Sequence, residues 1–286
     1  MPEPEVTIVV IARSVRQELE RCFESIRLHA GVPVQTILVD NASTDDTVEW
    51  VRGAHPEVMV IELPRNIGNA ARDHGLSRST SRYTMFLDSD AALTPGALPA
   101  MVAAMDEHPD WGLIGPRLVY DDGSVQPSCR RFPPLGLPLL RRPPLARIFE
   151  DRPTVRRHLM KDFDYERTRP VLYMISACQL FRTSLAPAAG PFVPGDPAVW
   201  AVGWADADWC LRIRDAGGEI VYFAEATVVH SYRRLTTRKP MSHAALRQLH
   251  CFVSFQWKYR RRRRELIALG RELDRAPVAS AQPTSV

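Results

Sequence analysis

Four short apolar runs, each followed by a turn or a stretch of helical spacing, constrain this chain more than any other feature. Residues 6–11, 35–39, 58–63 and 83–88 are continuous and rich in β-branched or aromatic side chains. That is the pattern of strands buried on both faces. Between the first two, residues 18–28 place Leu19, Cys22, Phe23 and Ile26 on one side of a helix. Ser43-Thr44-Asp45-Asp46 offers a cap and an acidic first turn to a second helix. Asn66-Ile67-Gly68-Asn69 turns into a third, ending near Ser79. Regular alternation of strand and helix implies right-handed crossovers, so the predicted class is α/β, with a mostly parallel sheet flanked by helices.

In such a sheet, ligands gather at the carboxyl ends of the strands. The second run ends on Asp40 and the fourth on Asp88-Ser89-Asp90. Two carboxylates at a strand tip suit a hard divalent cation and the diphosphate it neutralises. An isolated Asp-x-Asp is also a common solvated turn, so position carries the argument. Asp40 can accept a hydrogen bond from a pyrimidine N–H or a ribose hydroxyl, or can simply cap the next helix. No Gly-x-Gly-x-x-Gly follows the first run, which leaves a dinucleotide Rossmann site without support.

Composition bounds the rest. The 286 residues, 45% hydrophobic, suffice for one large or two small domains. Net charge is only +4, yet residues 226–264 hold eleven Lys or Arg and no Asp or Glu. That asymmetry points to an acidic partner, whether a membrane, a nucleic acid or a phosphorylated substrate. No nucleic-acid recognition motif accompanies it. The five cysteines are scattered without metal or disulfide spacing, so they read as buried, reduced thiols in a cytosolic setting. The first residues, Met1-Pro2-Glu3-Pro4-Glu5, are acidic and do not read as a signal peptide, and no apolar run reaches the roughly 18 residues expected to cross a bilayer.

The second half reads less regularly. Residues 113–120 form another strand, and 127–170 are rich in Pro and Arg around Arg130-Arg131-Phe132-Pro133. That stretch is either an excursion over the membrane or acceptor, or a surface loop. Residues 171–181 read as one strand, with small Ser176 and Ala177 marking a close approach. Trp200 and Trp204 follow a Pro/Gly-rich loop and offer a platform for a sugar ring. Asp206 and Asp208 open a helix that Gly217-Gly218 stops. Residues 220–223 and 226–230 read as two short strands, the second ending on His230. Residues 242–269 read as a single helix, with Leu246, Leu249, Val253 and Trp257 on one side, widened by Phe252, Phe255 and Tyr259. Aromatics beside Arg260-Arg261-Arg262-Arg263-Arg264 suit an interfacial helix on anionic lipid, or a docked helix with a solvated basic end.

Together these segments resemble the successive motifs of inverting, GT-A-fold family 2 glycosyltransferases, a family that includes bacterial rhamnosyltransferases. The resemblance rests on residues 6–11, Val39-Asp40-Asn41-Ala42-Ser43-Thr44-Asp45, Asn66-Ile67-Gly68 with Ala71-Arg72-Asp73-His74-Gly75, and Leu87-Asp88-Ser89-Asp90. It extends to Asp206-Ala207-Asp208-Trp209-Cys210-Leu211-Arg212 and the strand ending on His230. The resemblance implies a nucleotide-sugar donor, with dTDP-rhamnose ahead of UDP- and GDP-linked sugars. Donor contacts fall on Ala12, Arg13, Asp40, Asn41, Ser43, Asn66, Gly68, Arg72, Asp88 and Ser89. Asp90, Asp88 and His230 become ligands of Mg²⁺ or Mn²⁺, Asp206 the catalytic base, Trp204 an acceptor contact, and Asp208 either an acceptor contact or a support behind the base. The acceptor would be a glycan or lipid-linked sugar, and the setting cytoplasmic, peripheral on the inner membrane face.

The implied organisation is a nucleotide-sugar half (1–125), a Pro/Arg-rich insertion (126–170), a mixed-sheet acceptor half (171–240), a basic helix (241–270) and a tail (271–286). The chain departs from the family where Ala12-Arg13-Ser14 replaces Thr-Tyr-Asn, where Arg72-Asp73-His74-Gly75 replaces Arg-Asn-x-Gly, and where Ala205 replaces Glu. A nucleotidyltransferase using Arg13 on a triphosphate is the alternative of similar fold, but it leaves the Asp206 segment unexplained. A catalytically inactive carbohydrate- or lipid-binding homologue is the alternative of another class, suggested by Ala205.

Overall fold

The computed structural model describes residues 3–140, 148–149, 151–195, 204–231 and 243–275. The expected Trp200 platform and the far end of the tail lie outside them. Strands β1 (Val6–Ala12), β2 (Val34–Asp40), β3 (Met59–Glu62) and β4 (Tyr83–Asp88) pair in parallel, in the order β3-β2-β1-β4. Helices α1 (Arg16–His29), α2 (Thr47–Ala54) and α3 (Ala71–Leu76) connect them. Their continuous apolar runs have a simple cause, for both faces of the sheet are covered. Ile8, Val10, Met85 and Leu87 join one core. Val9, Ile37, Val39 and Phe86 join the other.

Register decides what emerges at the carboxyl edge. Ala12 pairs with Asp40, and Ile11 pairs with Asp88. α3 lies so close to β1 that a Cβ on Gly75 would sit 2.3 Å from Val9 Cγ1. Glycine at that position lets α3 settle on the sheet and carry Arg72 to the tip of β4.

β5 (Ala91–Leu93), α4 (Ala97–Glu107) and β6 (Trp111–Val119) extend the fold. β7 (Cys129–Arg130) leads into the insertion, whose helix Pro153–Leu159 packs Val155 and Leu159 with Phe252. β8 (Arg169–Pro170), β9 (Tyr173–Met174), β10 (Cys178–Arg182) and β11 (Glu219–His230) complete the strands described. β10 enters antiparallel between β4 and β6. β11 runs parallel to β6 and antiparallel to β5 and β8. The second half of the chain therefore continues the sheet of the first half in a mixed arrangement.

Three local expectations are corrected. Residues 171–181 are two strands, because β9 leaves to pair with β7. At the break, the backbone N–H groups of Ile175 and Asp88 donate to Ser128 O and Ala177 O at 3.0 and 2.9 Å. Residues 220–230 form one strand, with the register slipping between Phe223 and Thr227 where two strands were expected. The C-terminal stretch is two helices, His243–Lys258 and Arg263–Leu273. Five successive arginines repel along a continuous helix, and the turn relieves them. Arg262 pairs with Asp215 and Glu265, and Arg260 stacks on Trp257 at 4.0 Å. The turn also carries Leu266 into the core. No helix among the described residues is long and apolar enough to cross a membrane.

Candidate active site

Asp40 and Asp88 stand at one edge of the sheet with β1 between them. Asp40 is 3% exposed. Its Oδ2 accepts the Ser43 backbone N–H at 3.0 Å, and its buried Oδ1 has no partner among the described residues. A buried acceptor left open costs about 1–3 kcal/mol. An N–H or O–H donor of a ligand would recover that cost.

The surrounding loops brace one another. Ser14 N–H donates to Ser43 Oγ at 2.8 Å and Thr44 N–H to Ser14 Oγ at 3.0 Å. This fixes the loop carrying buried Ala12 and exposed Arg13. Asn41 Oδ1 accepts Ile67 N–H at 2.8 Å, and Asn41 Nδ2 donates to Gly68 O at 3.0 Å. Asn66 Oδ1 accepts Gly68 N–H at 2.9 Å, and Gly68 has φ +60°, where glycine is favoured. Asn41, Asn66 and Gly68 thus fix the loop beside Asp40 through bonds to backbone.

The second centre is Asp88, Asp90 and His230. β11 pairs His230 with Ala91, which sets the imidazole beside Asp90. His230 Nε2 lies 3.3 Å from Asp90 Oδ1 and 3.9 Å from Asp88 Oδ2, and the three candidate ligand atoms are mutually within 4.8 Å. Ligands about 2.1 Å from one ion sit roughly 3–4 Å apart, so the donor set fits a divalent cation. Gln126 Oε1 accepts from His230 Nδ1 at 2.6 Å, which turns Nε2 toward the carboxylates. Burial disfavours the imidazolium, but the Asp90 hydrogen bond and the Asp88 and Asp90 charges outweigh it and raise the His230 pKa. Asp88 is raised by burial, against the Arg72 and His230 charges. Buried Arg72 is ion-paired to Asp88 and donates to Ser176 O at 3.2 Å. It therefore holds Asp88 in place and uses the small-residue break that the sequence flagged.

Asp206 opens the acidic helix Ala205–Asp215. Its Oδ1 accepts the Ala207 N–H at 2.8 Å. Burial holds its carboxyl above the usual aspartate range, opposed by the Ala207 N–H and the charges of Arg130 and Arg72. Arg72 thus acts on both Asp206 and Asp88, which ties the two carboxylates to one electrostatic neighbourhood. Of the two places open to Asp208, the structure favours the support behind Asp206 over the acceptor contact. It is fully buried, and its carboxylate is taken up by Arg212 Nε at 2.7 Å, Tyr259 Oη at 2.9 Å and Lys258 Nζ at 2.5 Å. It ties the acidic helix to the C-terminal helix. Trp204 packs on Phe255 and Phe252 at 5.4 and 5.2 Å and remains partly exposed.

Gln126 and Arg130 were not singled out from the sequence. Gln126 lies beyond any periodic segment and carried no signal. Arg130 stood in a conspicuous Arg-Arg-Phe-Pro run, but only the fold brings its charge to Asp206.

Comparison with known proteins gives the family. The sequence profile of "Glycosyl transferase family 2" matches residues 7–186. The chain belongs to glycosyl transferase family 2. It is 27% identical over 254 residues to the N-acetylglucosaminyl-diphospho-decaprenol L-rhamnosyltransferase of Mycobacterium tuberculosis, covering 83% of this chain and 80% of that protein. It is 28% identical over 241 residues to the pre-mycofactocin glycosyltransferase of the same species, covering 80% of this chain and 43% of that one. Among solved structures, GalNAc-T7 with UDP, GalNAc and Mn²⁺ superposes with TM-score 0.64 at 14% identity, covering 92% of this chain and 50% of that one. Staphylococcus aureus TarS gives 0.58 at 16% identity, covering 80% and 37%. The Pyrobaculum calidifontis mannosyltransferase with GDP-Man and Mn²⁺ gives 0.54 at 19% identity, covering 82% and 59%. The chain spans about a third to three-fifths of the lengths of these three, and the likeness establishes the GT-A-type fold.

Proposed function

We propose that this family 2 glycosyltransferase moves a sugar, rhamnose from dTDP-rhamnose as the first candidate, onto a lipid-linked or polysaccharide acceptor with inversion. The observation that carries the reading is the meeting of Asp88, Asp90 and His230 in one cluster, with Arg72 linking Asp88 to the Asp206 neighbourhood. The sugar and acceptor class come from the mycobacterial relative, whose name specifies an L-rhamnosyltransferase acting on a diphospho-decaprenol-linked sugar.

Asp40 accepts a hydrogen bond from the nucleobase or ribose through its open Oδ1. Asp90, Asp88 and His230 hold Mg²⁺ or Mn²⁺; Mn²⁺ accompanies the donor or nucleotide in two of the structural neighbours. The bound cation supplies positive charge to offset the diphosphate that leaves. Arg72 keeps Asp88 oriented. Asp206 takes the proton from the acceptor hydroxyl as that oxygen attacks the anomeric carbon. A single in-line attack inverts the anomeric configuration.

A peripheral membrane setting is part of the proposal. Leu246, Val253 and Trp257 are 58%, 55% and 68% exposed along one helix, with Arg260 stacked over Trp257. An apolar stripe bordered by arginine suits the boundary of an anionic bilayer.

The test is hydrolysis of a panel of dTDP-, UDP- and GDP-sugars with and without EDTA. We expect turnover of one donor class that EDTA abolishes. Tight donor binding with no turnover under any metal would favour the inactive-homologue reading instead.

A further inference from the structure

A cavity of about 200 Å³ lies between the Arg131-Phe132-Pro133-Pro134 stretch, the insertion helix Pro153–Leu159 and the last helix Arg263–Leu273. It is separate from the Asp88 centre. Its wall carries Arg131, Arg157, Arg263 and Arg271, and no acidic side chain. Arg131 is neutralised by Asp274, with Nε 2.7 Å from Oδ2. Arg157, Arg263 and Arg271 enter no ion pair among the described residues. Arg263 Nε is buried and has no hydrogen-bond partner there. With Arg131 already paired and no acidic side chain in the wall, the lining presents positive charge that is unpaired among the described residues, and such a lining favours an anion. The remaining wall is apolar, with Phe132, Leu266 and Ile267.

Basic groups beside an apolar wall match a phosphate or diphosphate joined to a hydrocarbon chain. The volume falls below the roughly 300–1,000 Å³ that encloses a whole drug-sized ligand. It suits a head group and the first carbons of a chain that continues outside. The cavity is also one aromatic layer from the catalytic helix. Its His158 ring lies 6.1 Å from Trp204, which directly precedes the Asp206 helix. Arg131, in the cavity wall, adjoins Arg130, whose charge acts on Asp206.

We propose that this cavity holds the phosphate head of an amphiphilic acceptor and so presents its sugar toward Asp206. The proposal rests on the reading of a lipid-linked acceptor given above. The test is calorimetric binding of geranyl diphosphate and of inorganic diphosphate to the full chain. EDTA is present throughout, so that no metal at Asp88 and Asp90 recruits the phosphates. We expect geranyl diphosphate to bind, inorganic diphosphate to bind about tenfold more weakly, and the Arg157→Gln/Arg271→Gln double variant to lose about tenfold in affinity for geranyl diphosphate. Both arginines are exposed, so the variant keeps its fold. Metal-dependent donor hydrolysis, assayed separately, should be unchanged by the two substitutions. Equal geranyl diphosphate affinity in parent and variant overturns the site. Equal affinity for both diphosphates overturns the amphiphile in favour of a free anion. Loss of donor hydrolysis in the parent chain counts against the transferase reading, and because the binding arm needs no turnover, the two failures are distinguishable.

Discussion

Asp206 and Asp208 stand two residues apart on one helix and face different fates. Asp206 keeps a partly exposed carboxylate whose pKa burial raises. As the proposed general base, Asp206 must be ionised to act, so a raised pKa moves the acidic limb of the rate profile upward. We expect kcat/KM to fall with decreasing pH through an apparent pKa above the usual aspartate value of about 3.9. Asp206→Asn should remove about 10²–10⁴-fold of turnover and leave donor binding intact; steady-state kinetics beside nucleotide-sugar titration reads both. Gln126 belongs to the same scale. Loss of the bond that orients a metal-binding imidazole costs about 10–100-fold in metal affinity, so Gln126→Ala should raise the Mn²⁺ concentration for half-maximal activity by that factor. An unchanged metal requirement would remove Gln126 from the centre.

At the scale of elements, the acidic helix is held by what lies behind it. Asp208 is buried against Arg212, Lys258 and Tyr259, so it couples the helix carrying Asp206 to the helix that follows residue 242. Removing one partner of a buried, hydrogen-bonded ion pair costs about 3–5 kcal/mol. Asp208→Ala should lower stability in denaturant by that amount, whereas Asp206→Asn should barely move it. Equal stability losses at the two positions would mean that the helix does not divide its carboxylates in this way. The strands show a related division of labour. β4 delivers Asp88 and β11 delivers His230, and the antiparallel pairing of β11 with β5 brings the imidazole back beside Asp90.

Across the whole molecule, the helix His243–Lys258 and the residue after it face two ways. Phe252, Phe255 and Tyr259 pack inward, while Leu246, Val253 and Trp257 stay exposed. If that outer stripe enters a lipid interface, replacing Leu246, Val253 and Trp257 together with Gln should reduce co-sedimentation with anionic vesicles about tenfold or more, since each large apolar side chain contributes roughly 1–3 kcal/mol on burial. Retained binding by the triple variant would place the contact elsewhere. The described parts of the insertion have a fixed place in this arrangement. Leu137, Val155 and Leu159 pack on Phe252, and Arg131 clamps Asp274 at the end of the last helix.

The parallel strands, the acidic strand tips and the helix opening at Asp206 were legible in the sequence, because burial on both faces and helix electrostatics write themselves into consecutive residues. What residues 242–269 bury was not legible, since an apolar stripe on both sides of one helix leaves the choice of inner side to its neighbours. The split of 171–181 depended on β7, which lies more than forty residues earlier and supplies a competing edge. The sequence left Asp208 between an acceptor contact and a support behind Asp206, and only Tyr259 and Lys258, brought across from the C-terminal helix, drew it inward. Local pattern determined which segments form. Long-range pairing decided which carboxylates cluster with an imidazole, which stay partly exposed and which become part of the frame, because those outcomes depend on partners that are distant along the chain.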